Sequence, residues 1–271
     1  MDMPDRANHF RAAAFDLDDT LLRDDLSISP YTKDVFRRLS RAGFLLIAAS
    51  GRSEMSILPF VEQLGCICLY IACNGAEIYD GPTRRLLRAE TFSVDLAREI
   101  ASFGEEHDCY AQTYGGDKFY FNRHCGYADR YARASMLKGV CVGDLRDFIR
   151  EPRSKILMMA ENDRIARMLA EARGRFAGRA SVTCSKPYFL EFNPPRATKG
   201  IALGFAADYL GIGIEEIVAF GDSLNDLPML QAAGRSVAVA NGRPDVKPLC
   251  DEICLSNQED GVARYLAGHF L

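Results

Sequence analysis

Apolar runs and amphipathic stretches alternate along both ends of this chain. Residues 10–15, 44–49, 66–73 and 217–220 are nearly continuous apolar runs bounded by polar turns, as expected of strands buried on both faces of a parallel sheet. Between them lie helical stretches. Ser29-Pro30 reads as an N-cap followed by proline at the first helical position, Val35, Phe36 and Leu39 mark the apolar side, and Gly43 ends the element. A second helix runs from beyond Ser50-Gly51-Arg52 to about residue 64, and Thr198 and Gly211 frame another at 199–210. Strand–helix alternation of this kind predicts an α/β fold: a Rossmann-like, doubly wound parallel sheet with helices on both faces.

The texture changes at about residue 84. Helical stretches at 94–107, 127–137 and 163–173 now alternate with strand pairs, and the runs 109–114 and 118–122 flank Gly115-Gly116-Asp117 as a hairpin. Further strands are expected at 155–160, 180–184 and 188–192. The domain reading is therefore a core of 1–83 and 191–271, interrupted by an inserted α+β domain at 84–190, with Asn193-Pro194-Pro195-Arg196 as a rigid return linker. Strands at 236–240 and 251–255 and a helix from Gly261 complete the core.

Composition narrows the function classes. The 271 residues can bury a substantial core. A net charge of −4 with no basic block offers nothing to nucleic acid or an anionic membrane. Residues 1–8 are polar with two acids, unlike a signal peptide, and no apolar run approaches the roughly 20 residues of a membrane span. The nine cysteines form no CxxC pair and mostly sit in apolar runs; they read as reduced thiols of a cytoplasmic protein. The four histidines are dispersed, which argues against zinc.

The ends of the proposed parallel strands carry the chemistry. The first leads into Asp16-Leu17-Asp18-Asp19-Thr20, with Asp16 and Asp18 on one face by strand alternation. Clustered carboxylates repel and are costly to bury. This stretch is thus either a hard-cation site, suited to Mg²⁺, or a solvated turn. The second strand delivers Ser50, and a later one Asp222, with Asn225 and Asp226 following. In doubly wound sheets ligands lie outside the carboxyl ends of the strands, so these points converge in space. Lys199 starts a helix, where the macrodipole disfavours a cation by a few tenths of a kcal/mol. It is either a solvated side chain or an ammonium reaching the acids beyond the helix end.

In order and spacing, the Asp16–Thr20 stretch, Ser50, Lys199 and Gly221-Asp222-Ser223-Leu224-Asn225-Asp226 resemble the four motifs of the haloacid dehalogenase-like superfamily. The long insert, Asn74-Gly75-Ala76, Tyr188-Phe189-Leu190-Glu191 and Glu259-Asp260-Gly261-Val262 are similar to its Cof-type sugar-phosphatase branch, subfamily IIB. Two positions depart from the branch: Asp19, where glycine is usual, and Ala238-Val239-Ala240-Asn241-Gly242, which usually carries Met and a further Asn.

The resemblance implies a Mg²⁺-dependent phosphatase of a small phosphorylated metabolite, with a sugar phosphate expected, working through an aspartyl-phosphate. Asp16 would be the nucleophile and Asp18 the proton shuttle. Mg²⁺ would sit at Asp16, Asp18 and Asp222 with Asp226 beside it. Ser50 and Lys199 would hold phosphoryl oxygens, Asn225 would orient Lys199 or the metal shell, and Thr20 would bond within the turn. The insert would cap the site. Gly51, Arg52, Asn74, Lys186 and Tyr188, with the hairpin at 114–118, are the candidates for substrate contact. No oligomeric state is specified. Three other readings share these residues: a receiver domain, a phosphomutase of the same superfamily, and a non-catalytic sugar-phosphate-binding regulator.

Overall fold

The computed structural model describes residues 9–271, so the reading of residues 1–8 lies outside the described residues. The chain opens with β1 (Ala12–Phe15), α1 (Pro30–Arg41), β2 (Leu45–Ala49), α2 (Glu54–Leu64), β3 (Leu69–Ala72), β4 (Glu77–Asp80) and β5 (Leu86–Ala89). A second unit follows: α3 (Val94–Glu106), β6 (Tyr110–Gly115), β7 (Lys118–Phe121), α4 (Gly126–Ser135), β8 (Lys138–Cys141), α5 (Leu145–Phe148), β9 (Ile156–Met159), α6 (Asn162–Arg175), β10 (Ser181–Thr183) and β11 (Phe189–Asn193). The chain closes with α7 (Lys199–Leu210), β12 (Ile217–Gly221), α8 (Leu227–Ala232), β13 (Arg235–Val239), β14 (Glu252–Cys254) and α9 (Gly261–Phe270).

The larger sheet has the order β14-β13-β12-β1-β2-β3-β4-β5. It is parallel from β14 to β3 and antiparallel at β4 and β5. Helices α1, α2 and α9 pack on one face through Phe36, Phe60 and Leu266, among others. Helices α7 and α8 pack on the other through Leu203, Met229 and their neighbours. This is the doubly wound architecture that the apolar runs predict. Because β1 lies between β2 and β12, the chain leaves these three strands at one common end of the sheet.

The second sheet, β10-β11-β9-β6-β7-β8, is antiparallel except for the β7–β8 pair. Period-two alternation gives it two apolar faces. Ala111, Ile156, Met158, Leu190 and Phe192 pack under α3 and α6. Tyr110, Phe119, Phe121, Leu157 and Met159 form the opposite face with α4. Sheet membership changes after Ala89 and again after Asn193. The segment carrying the second sheet thus begins a few residues after the expected 84 and ends a few residues after the expected 190.

Three elements escape the sequence pattern. β4 and β5 form a hairpin of two four-residue strands, with Glu77, Asp80 and Arg88 breaking up the apolar positions. β8 contains Gly139, normally a weak strand residue; a Cβ there would stand 2.5 Å from the Phe119 ring, so the strand needs the missing side chain to pack. No helix among the described residues is long and apolar enough to cross a membrane. All nine cysteines are free.

Candidate active site

The residues singled out from the sequence gather where β1, β2 and β12 end, beneath the second sheet. Asp16 follows β1 and is 5% exposed. The tight turn Leu17–Leu21 then reverses the chain, with Asp19 at φ 60°. That left-handed conformation explains why glycine suits this position and why Asp, whose short side chain tolerates the region, can replace it. The substitution also adds a contact: Lys186 Nζ, from the loop before β11, donates to Asp19 Oδ2 at 3.1 Å. The turn is further held by Asn241, whose amide donates to the Asp19 carbonyl at 2.6 Å.

Lys199 resolves its awkward place at a helix start. Thr198 caps α7 by accepting from the Ile201 N–H at 3.2 Å. The Lys199 ammonium then reaches forward to Asp16 Oδ1 at 2.5 Å and Asp226 Oδ1 at 2.6 Å, fully buried. Burial opposes its charge, but Asp16 and Asp226 outweigh burial and raise its pKa. Asp226 is spoken for on its other oxygen as well. Oδ2 accepts from the backbone N–H groups of Asp222 and Ser223, each at 3.0 Å, and so closes the loop after β12. A Cβ at Gly221 would stand 2.6 Å from the Asp226 Cβ, so this tight return requires glycine. Asp222 is held by Thr20 Oγ1, which donates to its Oδ1 at 2.9 Å.

Carboxylate oxygens of Asp16, Asp222 and Asp226 lie within 4.8 Å of one another. Three carboxylates against one ammonium leave two negative charges when all ionise. The donor set is all hard oxygen, and with Asp226 saturated by Lys199 and two N–H groups, Asp16 and Asp222 are the acids with coordination capacity to spare. Such a set fits Mg²⁺, which takes one or two carboxylates and fills its shell with water and phosphate oxygens. Burial, then the neighbouring acids, push Asp16 up to about 8 even against Lys199, and push Asp222 well above the usual carboxylate range.

These shifts set a stability prediction. An acid whose pKa rises on folding stabilises the fold fully below its unfolded value, near 3.8, and that contribution is lost as pH rises through the folded value, about 8 for Asp16. Without a divalent ion, the contribution of Asp16 should therefore fall as pH rises from near 3.8 to about 8, and Asp222, shifted the same way, adds to the loss. Mg²⁺ should offset the loss, so the gain in thermal midpoint on adding saturating Mg²⁺ should grow across that window. A gain independent of pH would contradict the site. Asp18 and Glu191, both lowered, carry the opposite sign and lose their contribution only at lower pH.

Asp18 has a different partner. Arg52 clamps it bidentately, Nε to Oδ2 and Nη2 to Oδ1, both at 2.8 Å. Burial works against the Asp18 charge, but Arg52 outweighs it and holds the pKa below its usual value. The Arg52 Nη1 donates to Ser56 Oγ and to the Ala134 carbonyl at the end of α4, both at 2.9 Å. One guanidinium thus ties the Asp-rich turn to the second unit.

Ser50 is fully buried, its Oγ accepting from the Arg52 N–H at 3.2 Å. Asn225 does not reach Lys199; its amide donates to Asn74 Oδ1 at 3.1 Å. Asn74 in turn donates to Asn193 Oδ1 at 3.1 Å and lies buried behind Gly51, off the cavity wall. Two residues that the motifs do not single out by function complete this junction. Lys155, just before β9, donates to the Gly51 carbonyl at 2.7 Å and pairs with the Glu191 carboxylate, both being almost fully buried. Glu191 also accepts from the Ser185 N–H at 3.2 Å. The one signal for this pair is a single charge in each of two otherwise apolar strand runs, Lys155 at the start of one and Glu191 inside the other.

A cavity of about 260 Å³ opens above the acids. Its walls include Asp16, Asp18, Gly51, Arg52, Asp222 and Asn225 from the lower unit, and Tyr131, Lys186, Tyr188 and Phe189 from the upper. The hairpin at 114–118 contributes nothing to them.

A doubly wound sheet, with acids at its carboxyl end and a second α+β unit over them, defines a capped hydrolase fold. The family model for haloacid dehalogenase-like hydrolases matches residues 13–266, and the chain belongs to that family as a phosphoric monoester hydrolase. It is 30% identical over 266 residues to a putative phosphatase of Haemophilus influenzae, covering 96% of this chain and 98% of that one. It is 29% identical over 265 residues to the 5-amino-6-(5-phospho-D-ribitylamino)uracil phosphatase YitU of Bacillus subtilis, covering 95% and 96%. Among solved structures, a haloacid dehalogenase-like hydrolase from Bacteroides thetaiotaomicron superposes with a TM-score of 0.86 at 26% identity, covering 96% and 100%.

Proposed function

We propose that this chain hydrolyses a small phosphorylated metabolite in a Mg²⁺-dependent reaction through a phosphoryl group carried on Asp16. The observation that carries the reading is Asp16 on the cavity wall, backed by Lys199 at 2.5 Å, with Asp18 two residues on and on the same wall. Asp16 attacks phosphorus as the ester P–O bond breaks, and Asp18 gives a proton to the departing oxygen. Water then attacks the phosphoaspartate and passes a proton to Asp18, which releases inorganic phosphate and restores both acids. Lys199 shields the Asp16 charge from the phosphate dianion, and Ser50, whose oxygen already accepts from Arg52, has its own proton to donate to a phosphoryl oxygen.

Asp16, Asp222 and the Asp18 carbonyl would hold Mg²⁺, with Asp226 anchoring the loop beside it. When bound, the ion neutralises charge between the carboxylates and the phosphoryl oxygens. Arg52 has a double part. Its clamp keeps Asp18 ionised, ready to take a proton in the second step. Donation in the first step needs that clamp released, and an arriving phosphate dianion competes for the same guanidinium. The unit between Ala89 and Asn193 acts as the cap, excluding water and shaping substrate choice.

The sugar phosphate implied by the motifs is one candidate substrate. The phosphoribitylamino-uracil of the Bacillus subtilis relative joins a polyol phosphate to a ring, so the substrate class is broader than hexoses. Phosphate release from a panel of phosphorylated metabolites should require Mg²⁺, stop with EDTA and return on adding excess Mg²⁺. Release unaffected by EDTA would overturn the metal assignment. An isomerised ester without free phosphate would identify a mutase, and binding without either product a regulator.

A further inference from the structure

One short segment of the cap stands on both acid-bearing loops of the core. Ser185 and Lys186 lie between β10 and β11. Ser223 Oγ, in the loop after β12, donates to the Ser185 carbonyl at 3.0 Å. Lys186 Nζ donates to Asp19 Oδ2 at 3.1 Å, in the turn after β1. The first of these loops carries Asp222, and the second follows directly on Asp16. Adjacent cap residues thus meet the two loops that supply the carboxylates for Mg²⁺.

The segment is braced from above. The Phe189 N–H donates to the Lys186 carbonyl at 2.9 Å and closes a turn around Pro187 and Tyr188. The Cys184 thiol donates to the same carbonyl at 2.9 Å. The Ser185 N–H is held by Glu191, which the buried Lys155 pairs with in turn. The core holds the far side of both loops: Asn241 donates to the Asp19 carbonyl, and the Arg243 N–H donates to the Asp222 carbonyl at 2.8 Å. Asp19 itself calls for an explanation. Its φ of 60° is one that glycine adopts freely, and its charge adds a further carboxylate to a site already crowded with them. Among the described residues, its side chain bonds only Lys186. The turn therefore needs the backbone of residue 19, and the acid serves the pair.

We propose that the Asp19–Lys186 pair is a tether that keeps the two acid-bearing loops at the spacing Mg²⁺ requires, so that Mg²⁺ binding and docking of the cap segment strengthen one another. The inference rests on the Mg²⁺-dependent reading above and deepens it. Mg²⁺ needs Asp16 and Asp222 ionised and close together, and until the ion arrives ionised carboxylates repel. A cap segment standing on both loops opposes their separation. Lys186 is a positioning residue in this role, acting on the ion through Asp19 and its turn. By linkage, a tether that tightens Mg²⁺ binding is itself tightened by Mg²⁺ to the same extent. The two side chains are 31% and 47% exposed, and pairs of that kind shift an equilibrium by about fivefold at most.

A double-mutant cycle isolates the tether. Lys186→Met removes a positive charge and Asp19→Asn a negative one, and each alters the field at the ion on its own account. Those contributions add across the two sites and cancel in the cycle, whereas a tether lost in either single variant cannot be lost twice. Asn keeps the left-handed turn, and thermal midpoints in EDTA within a few degrees of the parent verify that the variants fold. The Kd for Mg²⁺ is read from the rise of the thermal midpoint with Mg²⁺ concentration. Multiplied together, the two single changes in Kd should exceed the change in the double variant by about two- to fivefold. Hydrogen exchange over residues 184–189, which in the parent needs no variant, should slow on adding Mg²⁺, and should respond less in Lys186→Met. Mg²⁺ binding by the parent with single changes that multiply to the double would overturn the tether alone, as would exchange at 184–189 that ignores Mg²⁺. A parent that binds no Mg²⁺ would overturn the metal-dependent reading and this inference with it.

Discussion

Asp16→Asn should eliminate phosphate release, by on the order of 10⁴-fold or more, and leave a folded protein. The magnitude follows from losing the nucleophile, because an amide cannot carry the phosphoryl group and only binding and electrostatic assistance remain. The second half of the prediction comes from the site itself. Burial is the largest influence on Asp16 and pushes its pKa to about 8, so a neutral amide of the same shape suits the position in metal-free protein. Lys199 still keeps its bond to Asp226 at 2.6 Å. The thermal midpoint in EDTA should therefore equal or exceed that of the parent, whereas the midpoint gain on adding Mg²⁺ should shrink. Turnover within tenfold of the parent would remove Asp16 from the mechanism, and a collapse in midpoint would mean that its charge is structural.

Lys199→Ala should do the reverse and damage both properties. Its ammonium is fully buried and is shared by two carboxylates. Removing it leaves Asp16 and Asp226 facing each other without a counter-charge, a kind of loss that costs about 3–5 kcal/mol in buried pairs. The few tenths of a kcal/mol regained by taking a cation from a helix start do not offset this. Chemical denaturation in EDTA should show that drop, with partial recovery in Mg²⁺ because the ion replaces some of the lost positive charge. Turnover should fall on the order of 10²–10³-fold, as for loss of one preorganised charge at the developing transition state. A stability change below about 1 kcal/mol would show that the buried site does not depend on the lysine's charge.

The parallel strands were legible because burial on both faces forces unbroken apolar runs, as at Leu45–Ala49 and Ile217–Gly221. The acids were legible because no stable core tolerates so many carboxylates at strand ends without a counter-ion. What escaped was set by long-range packing. β5 is only half-buried at the sheet edge, so no apolar run marks it. Asn225 is expected to orient Lys199 or the metal shell; its amide bonds Asn74, a contact decided by how the β3 and β12 loops meet, while the residue lines the cavity beside Asp222. Lys155 looked like the first residue of a strand, and only the fold shows that it grips the Gly51 carbonyl across the junction. The Asp18–Arg52 clamp joins residues whose types were both noticed but whose pairing no local rule dictates.

β1 pairs with β12 along its full length, Ala12 beside Ile217 through Phe15 beside Phe220. Those partners lie about 200 residues apart in the chain. At ribosomal rates of roughly 5–20 residues per second, the wait is roughly 10–40 s. During that time β1 to β3 can assemble, but the outer edge of β1 stays open, a row of unpaired N–H and C=O groups on a strand with no charge to discourage docking by another chain. The cap, with a core of its own, can fold in the interval and shelter nothing on that edge. The nascent enzyme is therefore most vulnerable to aggregation between completion of its first third and the emergence of β12. Slow codons or chaperone contacts would matter most in that window.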